Sequence, residues 1–303
     1  MGAIADMFAD TERKLNKLLD ANEANIVKSL DKLERKLINA YQAGFPKNGR
    51  LNLPQAQKLQ KQLIGIVQTD FGVLTKSINK DYDKIFNIIE SGYGLLEVPF
   101  EFNIDDRTLL GALKKTASAQ FKHFGAGIEN KLSQLLYDNV ATGEEFSELI
   151  AEMATILTNK TSATGRPLGA YARVYAHDSL MNYYQRIQNK MAEKMGIKHF
   201  LWYGDIMGSS RPKCIACAGR VFTEKEINKM DKDKWKGKAP RPTMIAVGGY
   251  HCRHHLMPVK PEWVKAEGLD VQNYYDEHPE KYSPKLRKEV EAERRKLHGG
   301  GKD

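Results

Sequence analysis

The fold turns on the stretch Pro212-Lys213-Cys214-Ile215-Ala216-Cys217-Ala218-Gly219-Arg220-Val221-Phe222. It holds a C-x2-C pair, with Gly219 placed to help a tight turn. About 35 residues later comes His251-Cys252-Arg253-His254-His255. A C-x2-C pair completed by a C-x-H element supplies three sulfurs and one imidazole nitrogen, a common donor set for a closed tetrahedral zinc site. The candidate ligands are Cys214, Cys217, Cys252 and His254. His251 or His255 could replace His254, because sequence leaves ring direction open. The plain alternative is three buried thiols beside surface histidines. The chain has 3 cysteines, all in this region, so a fully paired disulfide framework is excluded.

Charge concentrates around the same residues. The 303 residues carry 47 Lys plus Arg and 38 Asp plus Glu, a formal net charge of +9. Residues 196–258 hold 12 basic and 5 acidic side chains, and so +7 of that excess. Such a field attracts phosphates, acidic protein surfaces or anionic membranes. The candidate binding residues are Arg211, Lys213, Arg220, Lys232, Lys234, Lys236, Lys238, Arg241 and Arg253. A solvated Lys-rich loop is the competing reading, since a charge patch alone specifies no partner.

Catalytic signatures are missing. There is no HExxH motif. The H-x-E at His278-Pro279-Glu280 follows the cysteines, the reverse of the deaminase order. No P-loop, Rossmann glycine pattern or G-x-S-x-G elbow occurs. A closed four-ligand metal has no open coordination position, so a structural, non-enzymatic role is expected. The rival is a metal-dependent nuclease or other nucleic-acid enzyme, with His254-His255 supplying a general base. Asp205, Ser209, Ser210 and Arg211 form a loop that an Arg–Asp pair could pin. His177 and Asp178 fall on a helix surface, where histidines are usually structural.

Working outward, the pattern becomes helical. Leu15, Leu18, Leu19, Ile26, Leu30, Leu33, Leu37 and Ile38 recur at three-to-four spacing and predict a helix over 5–43. A second starts near Pro54, with Leu59, Leu63, Val67, Leu74, Ile78, Tyr82, Ile85 and Ile89 as its stripe. Gly44 to Gly49 reads as the turn between them, giving an N-terminal helical hairpin over 1–95. Residues 95–103 read as an extended link. A helix capped by Asp105 or Asp106 carries Leu109, Leu110, Leu113, Ala117 and Phe121, and Gly125 and Gly127 are expected to break it. Further helices follow, one from Leu132, one from a Thr142/Glu145 capping box, and one over 168–195 ending at Gly196. Short strands are expected at 197–203 and 219–222, with a second capping box at Thr223/Glu226. The remainder, 259–303, reads as a charged tail with a short helix at 284–297.

The class is therefore mainly α, with a small α+β zinc-stapled module near the C-terminus over 196–258. No apolar run approaches the roughly 18 residues of a membrane span. The start, Met1-Gly2-Ala3-Ile4-Ala5-Asp6, is too polar for a secretory signal, and Asp6 breaks the myristoylation pattern. A soluble protein of a reducing compartment, with no membrane partner, is the expectation.

One set of residues resembles a known family. Ala172-Arg173, Tyr184, Gly196-Ile197-Lys198, Trp202, Asp205, Ser210-Arg211-Pro212, Cys214-x-x-Cys217, Gly219-Arg220-Val221-Phe222, His251-Cys252-Arg253-His254 and Pro258 look like the C-terminal core of phage minor head proteins of the Mu-type head morphogenesis group. The resemblance covers about 104–258 and is most specific over 196–258. Three departures stand out. Cys252-Arg253-His254 replaces a Cys-Arg-Cys, His251 adjoins Cys252 instead of preceding it by three, and 224–240 is longer and more charged. The resemblance implies a structural virion protein of the capsid interior, assembled in the host cytoplasm at the portal vertex. Its implied partners are the portal protein, other capsid proteins and viral double-stranded DNA.

Overall fold

The computed structural model describes residues 2–44, 51–94, 102–142, 168–269, 276 and 278–298. It is mainly helical, with a small three-stranded sheet near the C-terminus. The helices are α1 (Ala3–Gly44), α2 (Leu53–Gly94), α3 (Ile104–Thr142), α4 (Leu168–Lys194), α5 (Pro212–Cys217), α6 (Glu224–Lys229), α7 (Thr243–Ala246), α8 (Pro261–Glu267) and α9 (Pro284–His298). The strands are β1 (His199–Tyr203), β2 (Val221–Thr223) and β3 (His255–Val259). The expected turn at 45–49, most of the link at 95–103, Glu145 of the first capping box, and the elements expected over 143–167 lie outside the described residues.

The chain forms two compact units that do not follow chain order. One combines residues 1–17, 84–110 and 178–303, and the other 18–83 and 111–177. In the second unit the apolar stripes of α1, α2 and α3 are buried, including Leu33, Leu37, Tyr41, Leu63, Val67, Ile78, Phe121 and Leu132. Side-chain pairs fix α1 against α2 as antiparallel. Asn22 donates to Asp81 at 2.7 Å, Asn25 to Ser77 at 3.0 Å and Lys36 to Asp70 at 2.6 Å, so rising numbers meet falling ones. Asn52 and Gln55 cap the start of α2 reciprocally, and Asn103 and Asp106 do the same for α3.

One expectation is overturned. Helix α3 runs unbroken through Gly125 and Gly127. A Cβ on Gly125 would lie 3.2 Å from the Phe71 ring, so this glycine lets the two helices approach closely. An isolated glycine costs a helix only about 1 kcal/mol, which packing readily offsets.

In the first unit β1 is central, with β2 and β3 antiparallel on either side. Phe200, Trp202, Phe222 and Leu256 join Ile227, Met230 and Val247 in one apolar cluster. Alternation sends Tyr203, His255 and Met257 to the opposite face. There the Tyr184 hydroxyl donates to Met257 Sδ at 3.2 Å. The Gln185 amide accepts from Leu256 N–H at 2.9 Å and donates to its carbonyl at 3.1 Å, satisfying the outer edge of β3. The Thr223/Glu226 capping box forms as expected and starts α6. The tail is more than a charged extension. Helix α9 packs on α5, with Val290 against Ile215 and Ala216.

Candidate metal centre

Three donor atoms converge beside the sheet. Cys214 sits on α5, which begins with Pro212 in the first helical turn, where a missing N–H costs nothing. Cys252 and His254 come from the run entering β3. In extended chain, alternate residues share a side, so Cys252 and His254 can face Cys214 while His255 turns the other way. The Cys214 and Cys252 sulfurs are 3.7 Å apart, and His254 Nδ1 lies 3.6 Å from Cys252 Sγ. All three donor atoms fall within 4.8 Å of one another, and all three residues are buried. Thiolates held at ~2.3 Å on one tetrahedral zinc are ~3.8 Å apart, and sulfur to imidazole nitrogen is ~3.6 Å, so both edges fit a single ion. A disulfide would need ~2.05 Å, so the sulfurs are not bonded to each other.

The site favours thiolate. Cys214 hydrogen-bonds Cys252, and His254 lies beside it, so the Cys252 thiol is held well below its ordinary range. Cys214 keeps the shared proton, and its own thiol is pushed well above that range by this hydrogen bond and by burial. A metal would displace that remaining proton. Gly248 closes the wall, since a Cβ there would fall 2.3 Å from the Cys214 sulfur and 2.4 Å from that of Cys252. Its carbonyl accepts from Arg211 and, at 3.0 Å, from Trp235 Nε1.

Sequence reasoning placed Cys217 in this set, and the structure places it elsewhere. Its side chain is fully buried in the apolar cluster with Trp202, Phe222 and Leu256, and burial pushes its thiol up to about 12. The reason is the helix. Two thiols on a tight turn can share an ion, but α5 carries Cys217 to its last position, packed toward the sheet. Of the alternates, His255 is fully buried, with its ring edge-on to Tyr184 at 5.2 Å and Tyr203 at 5.7 Å. Burial pushes its imidazole down to about 4. His251 is exposed, in a left-handed conformation with φ 52°, and its N–H donates to Asp178 at 2.6 Å.

Three of the nine candidate binding residues have internal roles instead. The Lys213 side chain is completely buried, 3.3 Å from Asp233 and 5.4 Å from the Trp235 ring. Lys238 donates to the carbonyls of Met230, Asp231 and Asp233 and lies 4.4 Å over Trp235. Arg211 holds the carbonyls of Gly248 and Tyr250. Each cation stabilises an irregular segment whose backbone carbonyls lack ladder partners. Lys232, Lys234, Lys236 and Arg241 are exposed, and Arg220 and Arg253 are half-buried. Asp205 pairs through its backbone, its N–H donating to Glu12.

Glu12 was missed from the sequence. Its carboxylate accepts the Asp205 N–H at 3.1 Å, and burial followed by the Asp205 charge pushes it up to about 7, with His254 pulling the other way. The signal was present. Phe8, Glu12, Leu15 and Leu19 share helical spacing, and Glu12 is the charged residue in an apolar stripe.

Fold and site define a mainly α chain whose small α+β module carries a buried group of two cysteines and one histidine able to hold a metal ion. No helix among the described residues is long and apolar enough to cross a membrane. Compared with known proteins, the chain matches no family model, no curated protein and no solved structure.

Proposed function

We propose that this chain is a structural, non-enzymatic minor head protein of a tailed phage. It binds the portal protein at the vertex, inside the capsid, and acts in head assembly and in DNA packaging or ejection. One observation carries the reading. From Tyr184 to Pro258, the residues behind the family resemblance fall in the first unit, where Trp202 fills the core, Arg211 ties Gly248 and Tyr250, and Cys214, Cys252 and His254 form the donor group. The ion is Zn²⁺, favoured by two thiolates, an imidazole and tetrahedral edge lengths. It staples a module whose apolar cluster is small. The exposed Lys232, Lys234, Lys236 and Arg241 suit phosphates of viral double-stranded DNA. Other capsid proteins are further partners.

A second reading, a metal-dependent nuclease, is favoured by three protein donors where a closed site needs four. His255 counts against it, because its ring is buried between two tyrosines and cannot reach a substrate.

Co-expression with a portal protein encoded in the same genome tests the first reading. A complex carrying one zinc per chain, with no DNA cleavage in Mg²⁺ or Mn²⁺, is expected. Cleavage lost with the metal, or no complex at micromolar concentration, overturns it.

A further inference from the structure

The first turns of α3, the end of α4, the start of β1, and helices α6 and α7 enclose a cavity of about 580 Å³ in the first unit. None of the metal donors lines it. Its volume falls in the range of pockets that take a ligand of some size, well above what one inorganic ion fills. Leu109, Leu110, Ile197, Phe200, Met244 and Ile245 supply an apolar lining. Leu109 is 49% exposed, an apolar side chain left open to water.

The charges around this lining are unevenly answered. Lys190 meets Glu193 at 2.7 Å and Asp106 at 3.8 Å, and Lys194 also pairs with Asp106. Asn189 is fixed by donating to the Met244 carbonyl at 2.7 Å. Arg186 and Lys198 line the cavity too, and among the described residues no carboxylate pairs with either. Arg186 is half-buried, and burial with the nearby Arg241 charge lowers its pKa. Burial and a like charge both weigh against the Arg186 guanidinium, and an incoming carboxylate or phosphate relieves both costs. Glu224 also lines the cavity, one carboxylate against the two cations Arg186 and Lys198, so the balance of unpaired charge stays positive.

The lining chooses between anions. A nucleic-acid backbone brings phosphates and sugars and has nothing to cover Leu109 or Met244. A peptide with Asp or Glu beside Leu or Phe satisfies both halves. We propose that this cavity is a docking pocket for an acidic, apolar-bearing peptide segment of a partner protein, with its carboxylates on Arg186 and Lys198 and its apolar side chain against Leu109 and Met244. The site is independent of the metal centre and of the head-protein reading.

The test uses the full chain and fluorescence anisotropy of a labelled helical peptide of alternating Glu and Leu pairs. Its Gln-for-Glu counterpart, laurate and a short DNA duplex serve as comparisons. The acidic peptide is expected to bind and its Gln counterpart to bind much more weakly. Arg186→Gln should weaken binding about tenfold, the loss of one charge-assisted pair. Leu109→Asp, at an exposed position, should abolish binding, while helical content and metal content stay unchanged. Lys61→Gln, an exposed position in the second unit, should have no effect. Equal binding of the Gln peptide, or indifference to both Arg186→Gln and Leu109→Asp, overturns the proposal. Laurate binding more tightly with the same dependence assigns the pocket to a free fatty acid. DNA binding that depends on Arg186 assigns it to nucleic acid. Either result also overturns the peptide site.

Discussion

Gly248 packs directly on Cys214. A Cβ added at Gly248 would stand 2.3 Å from that sulfur, far inside contact distance, and 2.4 Å from Cys252. The backbone here is therefore part of the wall of the candidate metal centre. Gly248→Ala should push the sulfurs out of register. Overpacking of this kind costs about 1–3 kcal/mol, and metal affinity should drop with it. Chelator competition and thermal melting measure both. Unchanged affinity would mean that the sulfurs shift freely.

The three cysteines should separate into two classes. Cys214→Ser and Cys252→Ser should remove the metal and loosen the module while α1 and α2 stay helical. Cys217→Ser should leave metal content unchanged and destabilise by about 1–3 kcal/mol, the penalty of an unpaired hydroxyl in an apolar cluster. Elemental analysis of the three variants decides it. Metal lost from the Cys217 variant, with its fold intact, would return that residue to the ligand set.

Gly125 and Gly127 should also differ, though only two residues apart. Gly127 has open space at its Cβ position, so Gly127→Ala should stabilise α3 by about 0.5–1 kcal/mol. Gly125→Ala meets the Phe71 ring at 3.2 Å and should lose that gain or reverse its sign. Denaturant unfolding of both variants gives the comparison. An equal gain at both would mean that Gly125 is not a packing glycine.

Glu12 should make stability depend on pH. Burial raises it from 4.5 to about 7, so the folded chain binds this proton more tightly than the unfolded chain. Its contribution is full below pH 4.5 and is lost as pH rises through about 7. Glu12→Gln should therefore match the wild type at pH 5 and exceed it at pH 8, by roughly 2–3 kcal/mol at ~1.4 kcal/mol per pKa unit. Melting curves in chelator at the two pH values test this. A difference that does not grow with pH would place the carboxyl in solvent.

The helices were legible because burying one face of a long helix imposes a period of about 3.6 residues. The stripes from Leu15 to Leu37 and from Leu59 to Ile89 carry it plainly. Gly196, the Thr223/Glu226 box and the first two strands were legible through local turn and cap chemistry. Strand β3 was not. It contains Pro258, which reads as a breaker, yet proline is tolerated in an edge strand, and β3 is one. Gly125 was misread because its value lies in Phe71, more than fifty residues away. In the metal group, residue types and spacing marked Cys214, Cys252 and His254, but the same spacing also marked Cys217. Which sulfur faces the histidine depends on how α5 packs between the sheet and α9.

The sequence alone determined the elements and the chemistry available, since periodicity, caps and donor atoms are local properties of the chain. Tertiary structure alone decided which donors meet, which lysines are buried, and that no carboxylate among the described residues pairs with Arg186. Those outcomes depend on contacts between segments far apart in the chain, which local pattern does not encode.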